Sequence, residues 1–416
     1  MLDVELRERL ARLGYGRATT GTSRVIETSS PDQASRAVPR VPGQHRAVAG
    51  EPACFVAESR YAVDHDHGEV VLSDLLTHTG AAFRPLVPDP RVLELDFSRA
   101  AFVDCETTGL AGGTGTYAFL IGVGYFVGGS FHVDQFFMRD PGEERGVLLA
   151  LRETLGERNA VVTFNGKSFD WPLLETRHIY HRIRLAPDDP IHLDMLHPSR
   201  RLFKRRLGSC ALSSLEVGVL SLPARNGDVP GWQIPGLYFD YLRRGDAGPL
   251  TPVFEHNRLD ILTLAALTLK VARHATDPVA APPEHALDLM CLGRAFGDVG
   301  DFEIALRCLE RARAIMSEPD EEIRACVAAL YKRMRNYATA ADVWHALVAE
   351  GALSIEPYVE LAKHAEHRLR DYARAAVLAE QALAVCSSRA TTARDGRVRA
   401  ELIHRLARLR RRQGIA

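Results

Sequence analysis

In Ala101-Phe102-Val103-Asp104-Cys105-Glu106-Thr107-Thr108-Gly109 an apolar run meets two acids and then a glycine. Ala101–Cys105 reads as a short buried strand. Asp104 and Glu106, two apart at its end, project to the same side because strand side chains alternate. Like charges held side by side repel unless a cation lies between them, and hard carboxylate oxygens suit Mg2+ or Mn2+. Taken alone, most such pairs are explained by an exposed strand end.

Working outward, Tyr117–Val127 and Phe131–Met138 read as strands joined by Gly128-Gly129, a hairpin signal. Val147–Leu155 has helical spacing, Ala160–Phe164 is a buried-type strand, and a helix is expected from about Ser168 to Arg182. Ile191–Leu196 is a further strand, and a long helix spans roughly Pro252 to His274. Antiparallel strands followed by strand–helix alternation predict an α/β or α+β layer fold.

Two further motifs carry acids. In Thr163-Phe164-Asn165-Gly166-Lys167-Ser168-Phe169-Asp170-Trp171-Pro172 an apolar strand ends in an Asn-Gly turn, and Asp170 falls at a helix start, where the dipole favours a carboxylate. Phe169 and Trp171 are bulky for a turn and offer a stacking surface for a base. In His256-Asn257-Arg258-Leu259-Asp260, His256 and Asp260 are four apart and share a helix face. Four carboxylates on a strand, a helix start and a late helix can converge on two cations. A two-metal site binds both the attacking water and the leaving oxygen of a phosphodiester, and a histidine can orient or deprotonate that water.

These three motifs resemble those of the DEDD 3′–5′ exonucleases of the ribonuclease H-like superfamily. Asp104 and Glu106 match the first motif, Asp170 the second, and Asp260 with His256 the third. The wording DCETTGLAGGTGTYAFLIGVG, TFNGKSFDWPLLETR and HPSRRLFKRRL is similar to the bacterial YprB-like branch. The resemblance covers about 95–275. It implies an α/β ribonuclease H-like fold, a mixed sheet flanked by helices, with Asp104, Glu106, Asp170 and Asp260 as metal ligands and two Mg2+ or Mn2+ per site. It also implies hydrolysis of single-stranded nucleic-acid ends. One departure is visible: the family places tyrosine at the spacing that His256 occupies, or histidine one residue farther from the aspartate.

Several other features bear on binding. Arg200-Arg201-Leu202-Phe203-Lys204-Arg205-Arg206 is the densest basic cluster, and Arg200, Arg201, Lys204 and Arg205 are expected to track phosphates. Lys167 is placed near a phosphate, Trp171 near a base, and Thr107 and Asn165 beside the strand end. Gly109–Thr116 looks like a phosphate cradle but lacks the Lys-Ser/Thr of a P-loop and leads into a strand, so a hairpin or irregular loop is expected. Asp194 reads as structural, His192 and His197 form no zinc spacing, and Arg405–Arg412 reads as the polar face of a last helix.

The chain has 416 residues, with 52 Lys+Arg against 53 Asp+Glu. That balance excludes a uniformly cationic protein, so nucleic-acid contact requires a local patch. No apolar run reaches the roughly 20 residues of a membrane span. Seven cysteines without a CxxC pair fit a reducing cytoplasm. Residues 1–52 read as a short amphipathic helix (Leu2, Leu6, Leu10, Leu13) and a flexible linker over 16–52. A lead-in segment follows at 53–94, and the nuclease-like domain is expected over 95–277.

Beyond it, Phe302, Tyr337 and Tyr372 recur every 35 residues, as do Ala305, Ala340 and Ala375. An aromatic and a small residue at this period resemble tetratricopeptide repeats over 285–412, an all-α domain that offers a groove for a protein partner. Two alternatives to the exonuclease remain open: an inactive nuclease-fold scaffold working through its repeats, and an endonuclease or structure-specific nuclease on the same fold.

Overall fold

The computed structural model describes residues 38, 40–48, 50–109, 115–278, 283–317, 320–387 and 393–414. The helix expected at 2–13 and most of the glycine-rich loop (110–114) lie outside them. Two compact units divide between Thr276 and Asp277.

In the first unit the strands are β1 (Gly43–Val48), β2 (Glu51–Tyr61), the short pair β3 (Asp66–His67) and β4 (Val70–Val71), β5 (Ala100–Thr107), β6 (Ala118–Val127), β7 (Ser130–Phe137), β8 (Ala160–Thr163) and β9 (Ile191–Asp194). Among the described residues they form a sheet in the order β1-β2-β7-β6-β5-β8-β9, with β3 and β4 paired apart. β1, β2, β7, β6 and β5 are antiparallel neighbours, while β5, β8 and β9 run parallel. The β6–β7 hairpin turns on Gly128 and Gly129, both at positive φ (57° and 89°), the conformation that a two-residue primed turn requires.

The linker expected through residue 52 and the domain start expected at 95 both need correction. β1 and β2 belong to the same sheet as β5. β1 is an edge strand whose side chains are mostly exposed, so it shows no hydrophobic alternation. It is held by its ladder to β2 and by Arg46, which reaches the buried Asp134 at 3.4 Å and Thr154 at 3.1 Å.

The helices of this unit are α1 (Glu144–Gly156), α2 (Asp170–Tyr180), α3 (Leu196–Leu207), α4 (Leu212–Val219), α5 (Ile234–Arg244) and α6 (Thr251–Thr276). α6 packs on β5 and β6, and its close approach has a cause in the sequence. A Cβ at Gly122 would lie 2.4 Å from Asn257 Oδ1, and one at Gly124 would lie 2.5 Å from Ile261 Cγ2. Two glycines on β6 therefore let α6 lie against the strand. Phe119, Phe137, Tyr238 and Phe254 fill the adjoining core, with Phe119 and Tyr238 stacked at 4.1 Å.

The second unit is a series of helices: α7 (Ala286–Asp298), α8 (Phe302–Ile315), α9 (Glu321–Arg333), α10 (Tyr337–Ala349), α11 (Glu356–His364), α12 (Tyr372–Ser387) and α13 (Ala393–Arg412). The repeat has a structural meaning. Phe302, Tyr337 and Tyr372 each open a helix, and Ala305, Ala340 and Ala375 are fully buried where helices meet. Gly300, Arg335 and Arg370 stand two residues before each aromatic, all at positive φ (88°, 62° and 57°). Arg333 lies over the Phe302 ring and Arg368 over Tyr337, again 35 residues apart. In α13, Arg405 and Arg408 pair with the buried Glu366. Among the described residues no helix is long and apolar enough to cross a membrane.

Candidate active site

β5 ends in the acids. Ala100–Val103 are fully buried, and Asp104 and Glu106 follow where the strand reaches the edge of the core. Because Gly122 admits α6, the buried Asn257 sits beside β5. Its Nδ2 donates to Asp104 Oδ2 at 2.8 Å, and its Oδ1 accepts from Gln135 Nε2 at 2.9 Å. This puts His256 and Asp260, on the same helix, next to the strand end. His256 Nε2 lies 3.5 Å from Asp260 Oδ2 and 3.9 Å from Glu106 Oε1.

Asp170 arrives from the other side. Asn165 takes a positive φ of 66°, which asparagine tolerates, and Gly166 packs on Thr163, where a Cβ would come within 2.5 Å. Asp194 closes this turn: its carboxylate accepts from the backbone N–H groups of Asn165 (2.8 Å), Lys167 (3.1 Å) and Leu196 (3.0 Å). Asp170 then stands as the first residue of α2.

The electrostatics show that the four acids share one locality. Burial, then Asp260, Glu106 and Asp170, hold the Asp104 carboxyl well above the usual range, and Asn257 opposes this. Burial raises Glu106 to about 7 against the pull of His256, with Asp260 and Asp170 adding to the rise. Asp170 is likewise pushed to about 7 by burial, with Asp194 contributing. Asp260 is raised by burial against His256 and Arg225. Buried carboxylates crowded together are shifted toward their protonated forms, even with Arg225 and His256 beside Asp260, the behaviour of a site built for a cation.

The fit of a divalent cation rests on this donor chemistry. Among the described residues no three His, Cys, Asp or Glu side chains are already arranged as a metal cage. Arg225 occupies part of the space: its Nη1 meets Asp260 Oδ1 at 2.7 Å. Its other nitrogen pairs with the buried Glu216, which also accepts from Thr263 Oγ1 at 2.6 Å.

The loop after α4 contributes a second residue. Asp228 receives His256 Nδ1 at 2.8 and 2.9 Å on its two oxygens. With Nδ1 so engaged, Nε2 faces the acids. Burial lowers the His256 pKa, but Asp260, Asp228 and Glu106 outweigh it and the net direction is upward. Arg225, Asp228 and Asn257 were missed from the sequence. Asn257 sits beside His256 in the third motif, but Arg225 and Asp228 lie in a loop with no pattern.

The expected nucleic-acid residues divide. Lys167 is exposed on the turn before Asp170, Asn165 is half-buried in that turn, and Thr107 donates to Gly109 O at 3.0 Å. Arg200, Arg201, Lys204 and Arg205 form an exposed face of α3, whose Leu202 and Phe203 turn into the core. Trp171 needs correction as a base platform: it is only 7% exposed and packs edge-on against His192. As the helix turns, it points inward, while Phe169 is left 53% exposed. His192 is taken up by Thr163 Oγ1 at 2.9 Å.

A family profile described as RNase H superfamily matches residues 101–272. Uncharacterized protein YprB of Bacillus subtilis (strain 168) is 30% identical over 376 residues, which cover 86% of each chain. This chain belongs to the YprB-like branch of the ribonuclease H-like superfamily. The family match spans β5 through most of α6, so it takes in Asp104, Glu106, Asp170, His256 and Asp260 together. The similarity to YprB extends beyond that region into the helical repeats or the N-terminal strands, since it covers far more of the chain than the family profile does.

Proposed function

We propose that this protein is a divalent-metal-dependent 3′–5′ exonuclease acting on single-stranded nucleic-acid ends. The observation that carries the reading is the gathering of Asp104, Glu106, Asp170 and Asp260, whose carboxyls are all shifted upward by burial. Superfamily membership supports nucleic acid as substrate and a divalent metal as the missing counter-charge.

Asp104, Glu106, Asp170 and Asp260 would hold Mg2+ or Mn2+, two per site. Bound there, the cations supply charge stabilisation of the attacking and departing oxygens. His256, fixed through Nδ1 by Asp228, presents Nε2 to orient a water and accept its proton. The water oxygen adds to phosphorus as the bond to the 3′ oxygen breaks, that oxygen takes up a proton, and a nucleoside 5′-monophosphate leaves. Lys167 and the exposed face of α3 supply positive charge for the remaining phosphates. The helical repeats would serve a protein partner.

The test is digestion of end-labelled DNA and RNA oligonucleotides in Mn2+ by the parent, Asp104→Ala and Asp170→Ala proteins. Stepwise mononucleotide release by the parent alone is expected. Equal digestion by the variants, or an inert parent, overturns the assignment; cutting of a circular single strand would make it an endonuclease.

A further inference from the structure

We propose that Trp232 is a stacking platform for a base of the single strand that enters the site, an inference that rests on the nuclease reading. Of the chain's three tryptophans, Trp171 and Trp344 are buried at 7% and 2% exposure, whereas Trp232 is 80% exposed. Its exposure does not come from a loose segment. Gln233 N donates to Pro230 O at 2.8 Å and Ile234 N to Gly231 O at 3.3 Å, a tight turn with Trp232 at its tip. Behind the turn, Asp228 is bonded to His256 and Val229 packs on the main core. Ahead of it, Ile234 is 1% exposed and opens α5. A turn anchored at both ends holds the indole out in solvent.

Its place is set by the same anchors. Trp232 follows Asp228 by four positions, so their Cα atoms are at most about 14 Å apart. That is roughly four stacked nucleotides at about 3.4 Å each. Arg225, on the same loop, meets Asp260 at 2.7 Å, which ties the segment to the acids a second time. A second open ring, Phe169, directly precedes Asp170. Exposed aromatics thus stand on two segments tied to the acid cluster, one beside Asp170 and one four positions after Asp228, which holds His256. Stacking suits an enzyme that must advance through any sequence, because every base has a π-face.

Trp232 alone emits from a solvent-exposed environment, which gives a readout independent of cleavage. Full-length protein in EDTA is titrated with an oligothymidylate and with the matching RNA, following tryptophan emission and the anisotropy of a labelled strand. Saturable quenching of the exposed emission is expected, lost in Trp232→Phe. Trp232→Ala should weaken Kd roughly tenfold, with Trp232→Phe staying close to the parent. A parent that digests oligonucleotides in Mn2+ but binds them without an emission change, or a Trp232→Ala protein that binds as tightly, overturns this proposal alone. A parent that neither binds nor digests removes the nuclease reading and this inference with it.

Discussion

His256 shows how much one contact decides. A histidine four residues before an aspartate is ordinarily a surface hydrogen bond, and the motif spacing left its role open. Asp228, holding Nδ1 at 2.8 Å, turns the other nitrogen toward Glu106 and Asp260. Partners of this kind fix ring orientation and tautomer, and their loss typically costs about 10–100-fold in activity. Asp228→Asn should therefore lower kcat by roughly that factor and leave the Mn2+ titration heat unchanged; an unaltered kcat would falsify the positioning role. Asp104 makes the complementary case. Its carboxyl is destabilised by burial and by three neighbouring acids, so Asp104→Asn should raise the melting temperature of the metal-free protein by a few degrees while lowering activity at least about 100-fold. A melting temperature that falls in EDTA would show that the repulsion is not there. Neither Asp228 nor Arg225 could be found by pattern, since both reach the site from an irregular loop; the carboxylates could, because each sits within or at the end of a strongly patterned element.

At the scale of elements, β5 to β9 and the two helices bearing acids were readable within a residue or two, because each carries an apolar run or a regular apolar spacing. β1 was not, since an edge strand with an open outer face carries almost no hydrophobic signal. The glycines of β6 were visible as letters but not as a groove. Gly122→Ala should push α6 away, costing about 1–3 kcal/mol by overpacking and reducing activity further than the stability loss explains. Urea unfolding and single-turnover assays on the same preparation separate the two effects, and an active, destabilised variant would count against this coupling. In the repeats, the 35-residue period marks the register of a left-handed residue, which is Gly300 in one repeat but Arg335 and Arg370 in the next two. Arg335→Gly should accordingly stabilise the protein by up to about 1 kcal/mol, seen as a higher urea midpoint.

For the molecule as a whole, the acids tie stability to pH. Glu106 and Asp170 move from ordinary values of 4.5 and 3.8 to about 7 in the folded, metal-free chain. The native state then binds more protons than the unfolded one between those limits, so stability is greatest below about 4 on this account and falls as pH rises toward 7. Melting followed from pH 5 to pH 7.5 in EDTA should show that decline, and Mn2+ should reverse it at the upper end by occupying the deprotonated site. A flat profile in EDTA would mean the carboxylates do not share a site. The division into a nuclease-fold unit and a helical unit was legible because composition and period change together after Pro278.

Gly122 offers no functional group, yet the hydrogen it carries in place of a methyl is what brings Asn257 into reach of Asp104. A substitution screen scored on nucleic-acid turnover would rank this bare strand position with the acids themselves. Anyone grafting the constellation onto another scaffold must copy an empty space along with the four carboxylates.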